Sequence, residues 1–335
     1  MAQITVIGTT AWGLTLGLVA SRQGHRVSVL ARTPDEADRL SDNRTSPRLP
    51  SGIQIPAEIS IGADPAGALR QAEMVIVAVP SVSLRTNIRA IARYIPESAI
   101  VVSATKGIDI ETGRRMTQVI AEETHGFSRG RIGALSGPNL APEIASGKIA
   151  SATVAFTDPD VAAKAQVILT SELFRVYRSD DVAGVELGGA LKNIVAIGAG
   201  IIDDFSLGDN AKAAFVTRGL HEITRLGVAL GARPDTFAGL SGMGDLVATC
   251  YSGLSRNRRV GQELAKGRTL ADILSTLKQV AEGVPTTRAA SKLAHEHGVD
   301  MPITAMTQHV LFDGLPPGKA VEALMRRVPQ PEIRY

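Results

Sequence analysis

The stretch that decides the fold is residues 186–218, which read ELGGALKNIVAIGAGIIDDFSLGDNAKAAFVTR. Between Glu186 and Asp203 the only polar side chains are Lys192 and Asn193, set among Gly, Ala, Leu, Ile and Val. This pattern predicts a helix buried on nearly every face, because none of its sides is polar enough to meet water. The glycines, the central lysine and the flanking acids favour the core helix of a soluble protein over a membrane span.

Lys192 needs an explanation, because an ammonium group among apolar side chains loses its hydration and must be compensated. In one interpretation the side chain reaches out to water or pairs with a carboxylate. In the other, which we favour, Lys192 belongs to a functional site, because the pKa of a buried lysine is readily tuned for proton transfer.

The regions before and after residue 180 have different patterns. Short apolar, β-branched runs alternate with helical patterns before it, which predicts a parallel sheet covered on both faces. Only helical patterns follow after residue 180. The whole chain has 335 residues, which is more than a single hydrophobic core usually holds. We therefore expect an α/β fold: an N-terminal Rossmann-type, doubly wound dinucleotide-binding domain (1–180), then an all-α substrate-binding domain (181–335).

The individual elements follow from the same periodicity. The predicted strands are ITVIG (4–8), VSVL (27–30), MVIVAVP (74–80), AIVVS (99–103), RIGALS (131–136), ATVAF (152–156) and LFRVY (173–177). The predicted helices lie near 12–23, 34–42, 83–95, 113–124, 159–170, 182–202, 209–229, 255–266, 269–279, 283–296, 303–312 and 317–327.

Composition and charge exclude several classes of function. The net charge is only +3, and basic residues are interspersed with acidic ones, so we expect no nucleic-acid partner and no polybasic membrane patch. Cys250 is the only cysteine, which excludes an intrachain disulfide and is typical of a reducing compartment. His295 and His297 point to different helix faces, so no metal site is predicted. Because no targeting, transmembrane or lipidation signal is found, we expect a cytoplasmic protein without stable membrane insertion.

The first predicted strand leads into a glycine turn of the kind that binds dinucleotides. Gly8 and Gly13 are the first and third glycines of G-x-G-x-x-G, which brings a pyrophosphate to a helix N-terminus. Thr10 occupies the middle position, and we expect a negative φ there because its side chain is branched. The strand–turn–helix–strand context favours a dinucleotide site over a turn that needs glycine only for packing.

Arg32 follows the second predicted strand, where an NAD-specific site usually carries Asp or Glu. A guanidinium suits the 2′-phosphate of NADP. The alternative is a solvated arginine at the end of a strand. We expect NADP or NAD as cofactor, with NADPH used at least as well as NADH.

Several longer motifs follow in a fixed order along the chain. They are VIVAVPS (75–81), SATKGI (103–108), LSGPNLAPEIA (135–145), GGALKNIVAIGAG (188–200), LGDNAKAAFVTRG (207–219), GLSGMGDLVATC (239–250), SRNRRVG (255–261) and AEGVPT (281–286). Together they resemble the bacterial-type NAD(P)-dependent sn-glycerol-3-phosphate dehydrogenase family over nearly the whole chain. The resemblance implies reversible reduction of dihydroxyacetone phosphate to sn-glycerol 3-phosphate for glycerophospholipid synthesis. It also implies a small phosphorylated substrate and a homodimer.

The resemblance further implies roles for individual residues. Lys192 matches the family's catalytic proton donor and acceptor, which fits because hydride transfer to a ketone leaves an alkoxide that needs a proton. The matched substrate-binding residues are Lys106, Gly137, Asn139, Lys192, Asp245, Ser255, Arg256 and Asn257. The cofactor-binding residues are Gly8, Ala11, Trp12, Gly13, Arg32, Lys106, Ala141, Arg256, Val280 and Glu282.

Taken alone, these residues have plainer interpretations as well. Lys106 stands at a strand's carboxyl end, where ligands bind in open α/β sheets, but it also fits an ordinary loop lysine. The glycines before Asp245 are typical of a flexible interhelix loop. Ser255, Arg256 and Asn257 combine a guanidinium with the free N–H groups of a helix start, which suits a phosphate and equally fits a capped surface helix. Asn139 stands where Ser is also common in the family, a small departure in donor type.

Two other functions stay open on the sequence. The first is a related β-hydroxyacid dehydrogenase with a lysine as general acid and a carboxylate substrate. The phosphate-type element Ser255-Arg256-Asn257 argues against it. The second is a catalytically inert nucleotide-binding regulator. Only Thr10 favours the regulator, whereas the presence of Lys106, Lys192 and Asp245 together opposes it.

Overall fold

The computed structural model describes residues 1–277, 280–329 and 331–332. Residues 278 and 279, at the end of the predicted helix 269–279, and residues 330 and 333–335 of the predicted second domain lie outside the described residues. Eight strands form one sheet: β1 (Gln3–Ile7), β2 (Arg26–Leu30), β3 (Ser60–Gly62), β4 (Met74–Val77), β5 (Ile100–Ser103), β6 (Ile132–Ser136), β7 (Ala150–Ala155) and β8 (Phe174–Ser179). Their order across the sheet is β3-β2-β1-β4-β5-β6-β7-β8.

The directions of the last two strands differ from the sequence-based expectation. Strands β1 to β6 pair in parallel, but β7 is antiparallel to β6 and β8 is parallel to β7. The prediction of a wholly parallel sheet is therefore wrong for β7 and β8. A parallel crossover usually contains a full helix, whereas the β6–β7 connection (137–149) contains only a five-residue helix (Ala141–Ala145).

Helices cover both faces of this sheet. They are α1 (Ala11–Arg22), α2 (Pro34–Asn43), α3 (Pro65–Leu69), α4 (Ser81–Ile91), α5 (Met116–Glu123), α6 (Ala141–Ala145) and α7 (Pro159–Leu169). Along β4, Met74 and Ile76 enter a core with residues of α1 and α7, whereas Val75 and Val77 enter a second core with residues of α4 and α5. Because successive side chains of a strand point to opposite faces, the alternation confirms the predicted doubly wound arrangement.

The rest of the described chain contains helices and no strand. These are α8 (Val182–Asp204), α9 (Asp209–Ala229), α10 (Pro234–Phe237), α11 (Asp245–Tyr251), α12 (Arg256–Ala265), α13 (Leu270–Thr276), α14 (Gly283–Glu296), α15 (Pro302–Phe312) and α16 (Pro317–Met325). The predicted fold class, a Rossmann-type sheet followed by an all-α part, is confirmed.

Helix α8 is the centre of the helical part and packs against α9, α11, α12 and α14. It is long and apolar enough to cross a membrane, but 94% of the relevant window is buried inside the protein. Glycines let neighbouring helices approach its backbone closely. A Cβ atom on Gly200 of α8 would overlap the carbonyl of Arg258 in α12, and one on Gly261 of α12 would overlap the carbonyl of Ile197 in α8. Helices α8 and α12 therefore meet backbone to backbone.

Candidate active site

A buried cluster of two lysines and one aspartate lies where the helical part meets the carboxyl ends of the strands. Lys192 of α8 donates to Asp245 Oδ1 at 2.6 Å, and Lys106, just after β5, donates to Asp245 Oδ2 at 2.6 Å and to the Gly137 carbonyl at 3.0 Å. Lys192 is only 6% exposed and Asp245 only 1%. Lys192 therefore pairs with a carboxylate, that of Asp245, rather than reaching water.

The electrostatics of this cluster suit proton transfer. Burial lowers the pKa of Lys192 to about 8; the Asp245 carboxylate opposes this effect and the Lys106 ammonium adds to it. A lysine with such a pKa gives and takes protons close to neutral pH. The sequence presented two alternatives for Lys192, pairing with a carboxylate and a pKa tuned for a functional site. In the structure both occur together.

Thr249 is a member of the cluster that the sequence analysis missed. Its hydroxyl accepts a short hydrogen bond from Lys192 Nζ and donates to Asp245 Oδ1 at 3.3 Å. Thr249 follows Asp245 by four residues in α11, so both side chains lie on one face of the helix. That spacing in DLVATC was the signal that could have found it.

The glycine-rich segment before Asp245 is not a flexible loop. Residues Leu240–Gly244 form a π-helical turn that runs directly into α11. A Cβ atom on Gly242 would overlap the backbone of Phe237, and one on Gly188 of α8 would lie 2.6 Å from the Ser241 carbonyl. The turn is therefore packed tightly against α8, which fixes where Asp245 enters the cluster.

The turn after β6 presents polar atoms to the same region. Gly137 has a φ of +152°, and a Cβ there would lie 2.9 Å from Ala152 Cα, so glycine is needed for conformation and space. Asn139 Nδ2 donates to the Ser151 carbonyl at 3.0 Å. Among the described residues, Asn139 Oδ1 and Ser136 Oγ are buried without a hydrogen-bond partner. Buried polar atoms are normally satisfied, which favours a polar ligand at this turn.

The start of α12 serves both structure and binding. Ser255 caps the helix by accepting from the Arg258 amide at 3.2 Å, as the capped-helix interpretation expects. Asn257 donates to Asn193 Oδ1 at 2.8 Å and accepts from the Gly283 amide at 2.9 Å, so it connects α12 to α8 and α14. Only one amide hydrogen of Asn257 is left for a ligand.

Arg256 is the first residue of α12 and is exposed to solvent. The protein around it displaces enough water to lower the pKa of Arg256, and the Glu282 carboxylate opposes this shift. A fork-shaped guanidinium in such a place, beside the amides of a helix start, fits a phosphate group.

The glycine turn after β1 has the shape that a pyrophosphate needs. Gly8 has a φ of +102°, and a Cβ there would lie 2.8 Å from Val79 Cγ1. A Cβ on Gly13 would lie 2.5 Å from the Gly8 carbonyl. Ala11 and Trp12 occupy the first two positions of α1, where backbone amides have no intrahelical acceptor. The residues present therefore fit a dinucleotide.

Thr10 has a φ of −62°, which confirms the expected negative value. Its hydroxyl accepts from the Gly13 amide at 3.0 Å and donates to the Ala78 carbonyl at 2.6 Å. Because a hydroxyl has one hydrogen, Thr10 has none left for a phosphate in this conformation. It acts as the N-cap of α1.

Two arginines flank the glycine turn on the side of β2. Arg32 is exposed just after β2, as expected. Arg48, which nothing in its surrounding sequence marked, contacts the Thr9 carbonyl at 3.1 Å and Glu36 Oε1 at 2.6 Å. Although burial opposes it, hydrogen bonds from Arg48 and Thr9 lower the pKa of Glu36.

The remaining matched positions are Ala141, Val280 and Glu282. The Ala141 carbonyl, at the start of α6, accepts from Thr15 of α1 at 3.3 Å. Val280 is 39% exposed. Glu282, at the N-cap of α14, binds Ser81 at the start of α4. The Glu282–Ser81 contact joins the helical part to α4, which follows β4 of the sheet.

A dinucleotide turn on a doubly wound sheet, together with a buried lysine of lowered pKa in a helical part, defines the class of two-part NAD(P)-dependent dehydrogenases. The family model described as NAD-dependent glycerol-3-phosphate dehydrogenase N-terminus matches residues 3–162, and the C-terminus model of the same description matches residues 181–322. The chain belongs to the NAD-dependent glycerol-3-phosphate dehydrogenase family, as the sequence motifs indicated. It is an oxidoreductase that uses NAD or NADP.

Individual relatives agree with this assignment over nearly the full length. A glycerol-3-phosphate dehydrogenase (NAD(P)+) from Dehalococcoides mccartyi is 47% identical over 326 residues, covering 97% of this chain and 91% of the relative. One from Frankia casuarinae is 44% identical over 334 residues, with coverage of 100% and 99%. The crystal structure of glycerol-3-phosphate dehydrogenase from Coxiella burnetii superimposes with a TM-score of 0.92 at 32% identity, covering 97% of this chain and 99% of that one.

Proposed function

We propose that this protein reduces dihydroxyacetone phosphate reversibly to sn-glycerol 3-phosphate with NADPH or NADH, and thereby supplies glycerophospholipid synthesis. The observation that carries the proposal is the buried Lys192–Asp245–Lys106 cluster at the carboxyl edge of the sheet. The names of the relatives support the same reaction. The β-hydroxyacid and inert-regulator alternatives have no comparable support in the family match.

In the proposed mechanism Lys192 is the general acid. The bound cofactor supplies the hydride that forms the new C–H bond. As the carbonyl π electrons move to oxygen, that oxygen takes a proton from the Lys192 ammonium, which becomes a neutral amine. In the reverse reaction the neutral amine accepts the proton of the substrate hydroxyl. Asp245 and Thr249 hold the Lys192 nitrogen in place, and Lys106 adds a second positive charge beside the developing alkoxide.

Substrate and cofactor are proposed to bind on opposite sides of this cluster. Arg256 and the α12 amides would hold the phosphate of the substrate, and the turn at Gly137 and Asn139 would contact its other polar groups. The amides of Ala11 and Trp12 would hold the cofactor pyrophosphate, with Arg32 and Arg48 near a 2′-phosphate.

Several wider features belong to the same proposal. We take residues 1–180 as the dinucleotide-binding domain and 181–335 as the substrate-binding domain, a division supported by the end of β8 at Ser179 and the start of α8 at Val182. We also propose a cytoplasmic homodimer that neither inserts stably into membranes nor binds nucleic acid.

The test is cofactor oxidation by purified protein with dihydroxyacetone phosphate, with dihydroxyacetone and with β-keto acids. We expect the phosphorylated ketone to be the best substrate. We expect Lys192→Ala to keep NADPH binding but to lower kcat at least ~10²-fold, the usual contribution of a general acid. Lys266→Ala is the control, because Lys266 lies on the surface at the end of α12.

Other outcomes would point elsewhere. Faster oxidation with a β-keto acid would favour the β-hydroxyacid alternative. NADPH binding without oxidation by any ketone would favour the inert regulator. Near-normal turnover of folded Lys192→Ala would remove Lys192 from the mechanism.

A further inference from the structure

We infer that Ser81 is a positioning residue for the cofactor, acting through Glu282: it fixes the carboxylate of Glu282 in the cleft between the sheet and the helical part. This inference rests on the proposed function and on the cofactor contact that the family resemblance implies for Glu282. No motif or comparison assigned a role to Ser81.

The geometry is a two-point contact between distant parts of the chain. The Ser81 amide donates to Glu282 Oε1 at 3.0 Å, and the Ser81 hydroxyl donates a short hydrogen bond to Oε2. The two residues are 201 positions apart. Because each carboxylate oxygen has its own donor, the carboxylate can neither rotate nor shift without losing a bond.

The start of α4 is suited to this contact. Ser81 is the first residue of α4, and Pro80 before it provides no side-chain cap. The first amides of a helix lack intrahelical acceptors and favour a negative charge. Glu282 therefore serves as a cap for α4 that comes from the helical part, in place of a local residue.

Gly107 closes a third side of the contact. A Cβ atom on Gly107 would overlap Ser81 and would lie 3.5 Å from Glu282 Oε2. Gly107 directly follows Lys106, which binds Asp245 and through it Lys192. A fixed Glu282 is therefore connected by backbone and ion pairs to the proton-transfer cluster.

The charges around Glu282 explain why it needs these donors. Burial raises the pKa of Glu282, and the Ser81 bonds and the Arg256 guanidinium of α12 oppose that rise. Because both carboxylate oxygens already have a fixed donor in Ser81, their remaining lone pairs point in fixed directions for a ligand. Removing the Ser81 hydroxyl leaves Oε2 without this donor and frees the carboxylate to turn.

The experiment compares Ser81→Ala, Glu282→Gln and the double variant. Ser83→Ala is the matched control, because Ser83 lies in the same helix and its hydroxyl donates only to the Pro80 carbonyl among the described contacts. NADPH affinity is measured by titrating cofactor fluorescence, and kcat and KM are measured for NADPH and for dihydroxyacetone phosphate.

We expect Ser81→Ala to weaken NADPH binding about tenfold, the scale of one charge-assisted hydrogen bond. The KM for dihydroxyacetone phosphate should stay close to the parent value. The double variant should bind NADPH no more weakly than Glu282→Gln alone, because Ser81 acts only through Glu282.

Three results would overturn the inference: Ser81→Ala behaves like Ser83→Ala, its effect adds to that of Glu282→Gln, or Glu282→Gln itself leaves NADPH affinity unchanged. The last result applies even if Ser81→Ala does not fold. The binding titration needs no turnover, so a parent protein that binds NADPH but does not reduce dihydroxyacetone phosphate would refute the proposed function while leaving the role of Ser81 testable.

Discussion

Replacing Asp245 by asparagine removes one charge from the centre of the cluster and keeps its shape. In the parent protein the two Asp245 oxygens each bind a lysine nitrogen at 2.6 Å, one from Lys192 and one from Lys106. In Asp245→Asn the two ammonium groups face each other without the carboxylate that separates them. The ammonium form of Lys192 loses stability relative to the neutral amine, so its pKa must fall.

The size of the fall follows from Coulomb's law. With charge centres about 4 Å apart and an effective dielectric constant of about 20, the Asp245 carboxylate stabilises the Lys192 ammonium by about 4 kcal/mol. If entering water and the asparagine oxygen restore about a third of this, about 2.7 kcal/mol or 2 pH units remain. The pKa of Lys192, about 8 in the parent, would then be about 6, and about 10% of the variant would carry the required proton at pH 7.

The assay is the initial rate of NADPH oxidation with dihydroxyacetone phosphate from about pH 5 to about pH 9. For the parent, reduction should decline as the pH rises through about 8, because the general acid loses its proton. For Asp245→Asn the decline should begin about 2 units lower, with about a tenfold loss at pH 7 that acidification recovers. Asp204→Asn is the control, because the only ion pair of Asp204 is a loose one to Lys266 at 3.9 Å among the described residues.

A uniform loss of rate with an unshifted alkaline limb would refute this reasoning. Asp245 would then act by holding Lys192 in place, and its charge would not set the proton affinity of that lysine.

Three further predictions concern the ligand-binding positions. Arg256→Ala should raise the KM for dihydroxyacetone phosphate by the equivalent of ~2–4 kcal/mol, because the substrate phosphate loses a partner in a partly desolvated site. If the variant still preferred dihydroxyacetone phosphate to dihydroxyacetone as strongly as the parent does, another group would hold the phosphate. Arg32→Asp should shift the cofactor preference towards NADH, because it reverses the charge facing a 2′-phosphate. The measurement is kcat/KM for both cofactors, with Arg39→Asp as control. A parent protein that already strongly prefers NADH would contradict the role of Arg32. Thr10→Gly should tighten NADPH binding by up to ~1 kcal/mol, about fivefold, because the backbone comes closer to the phosphates. The same change should lower the Tm, since α1 loses its cap and the Ala78 carbonyl its donor; weaker NADPH binding would count against this account of the turn.

Sequence periodicity was enough for most of the fold, because its signals are local. All seven predicted strands are present, and the apolar run around Lys192 forms the expected buried helix. Strand β3 was missed because Ser60–Gly62 is too short to show an alternation. The reversal of β7 depends on how the chain turns after Gly137, for which the only sequence signal is the absence of a full helical pattern between β6 and β7.

The site was predicted less completely, because its contacts join residues far apart in sequence. The motifs pointed to Lys106, Lys192 and Asp245, and the structure brings these three into one cluster. Arg48 was missed because it stands in an irregular segment without periodicity and reaches Thr9 across 39 positions. Ser81 was quoted in a motif but received no role, since its partner lies in the other half of the chain.

The backbone contact between α8 and α12 has a consequence for substrate length. Lys192 stands two turns before Gly200 in α8, and Arg256 stands just over one turn before Gly261 in α12. The spacing between the proton donor and the proposed phosphate-binding arginine is thus set by main chain against main chain at Gly200 and Gly261, with no side chain between them to adjust. Because this distance is fixed, the proposed site should accept only substrates in which the right number of carbons separates the reacting carbonyl from the phosphate.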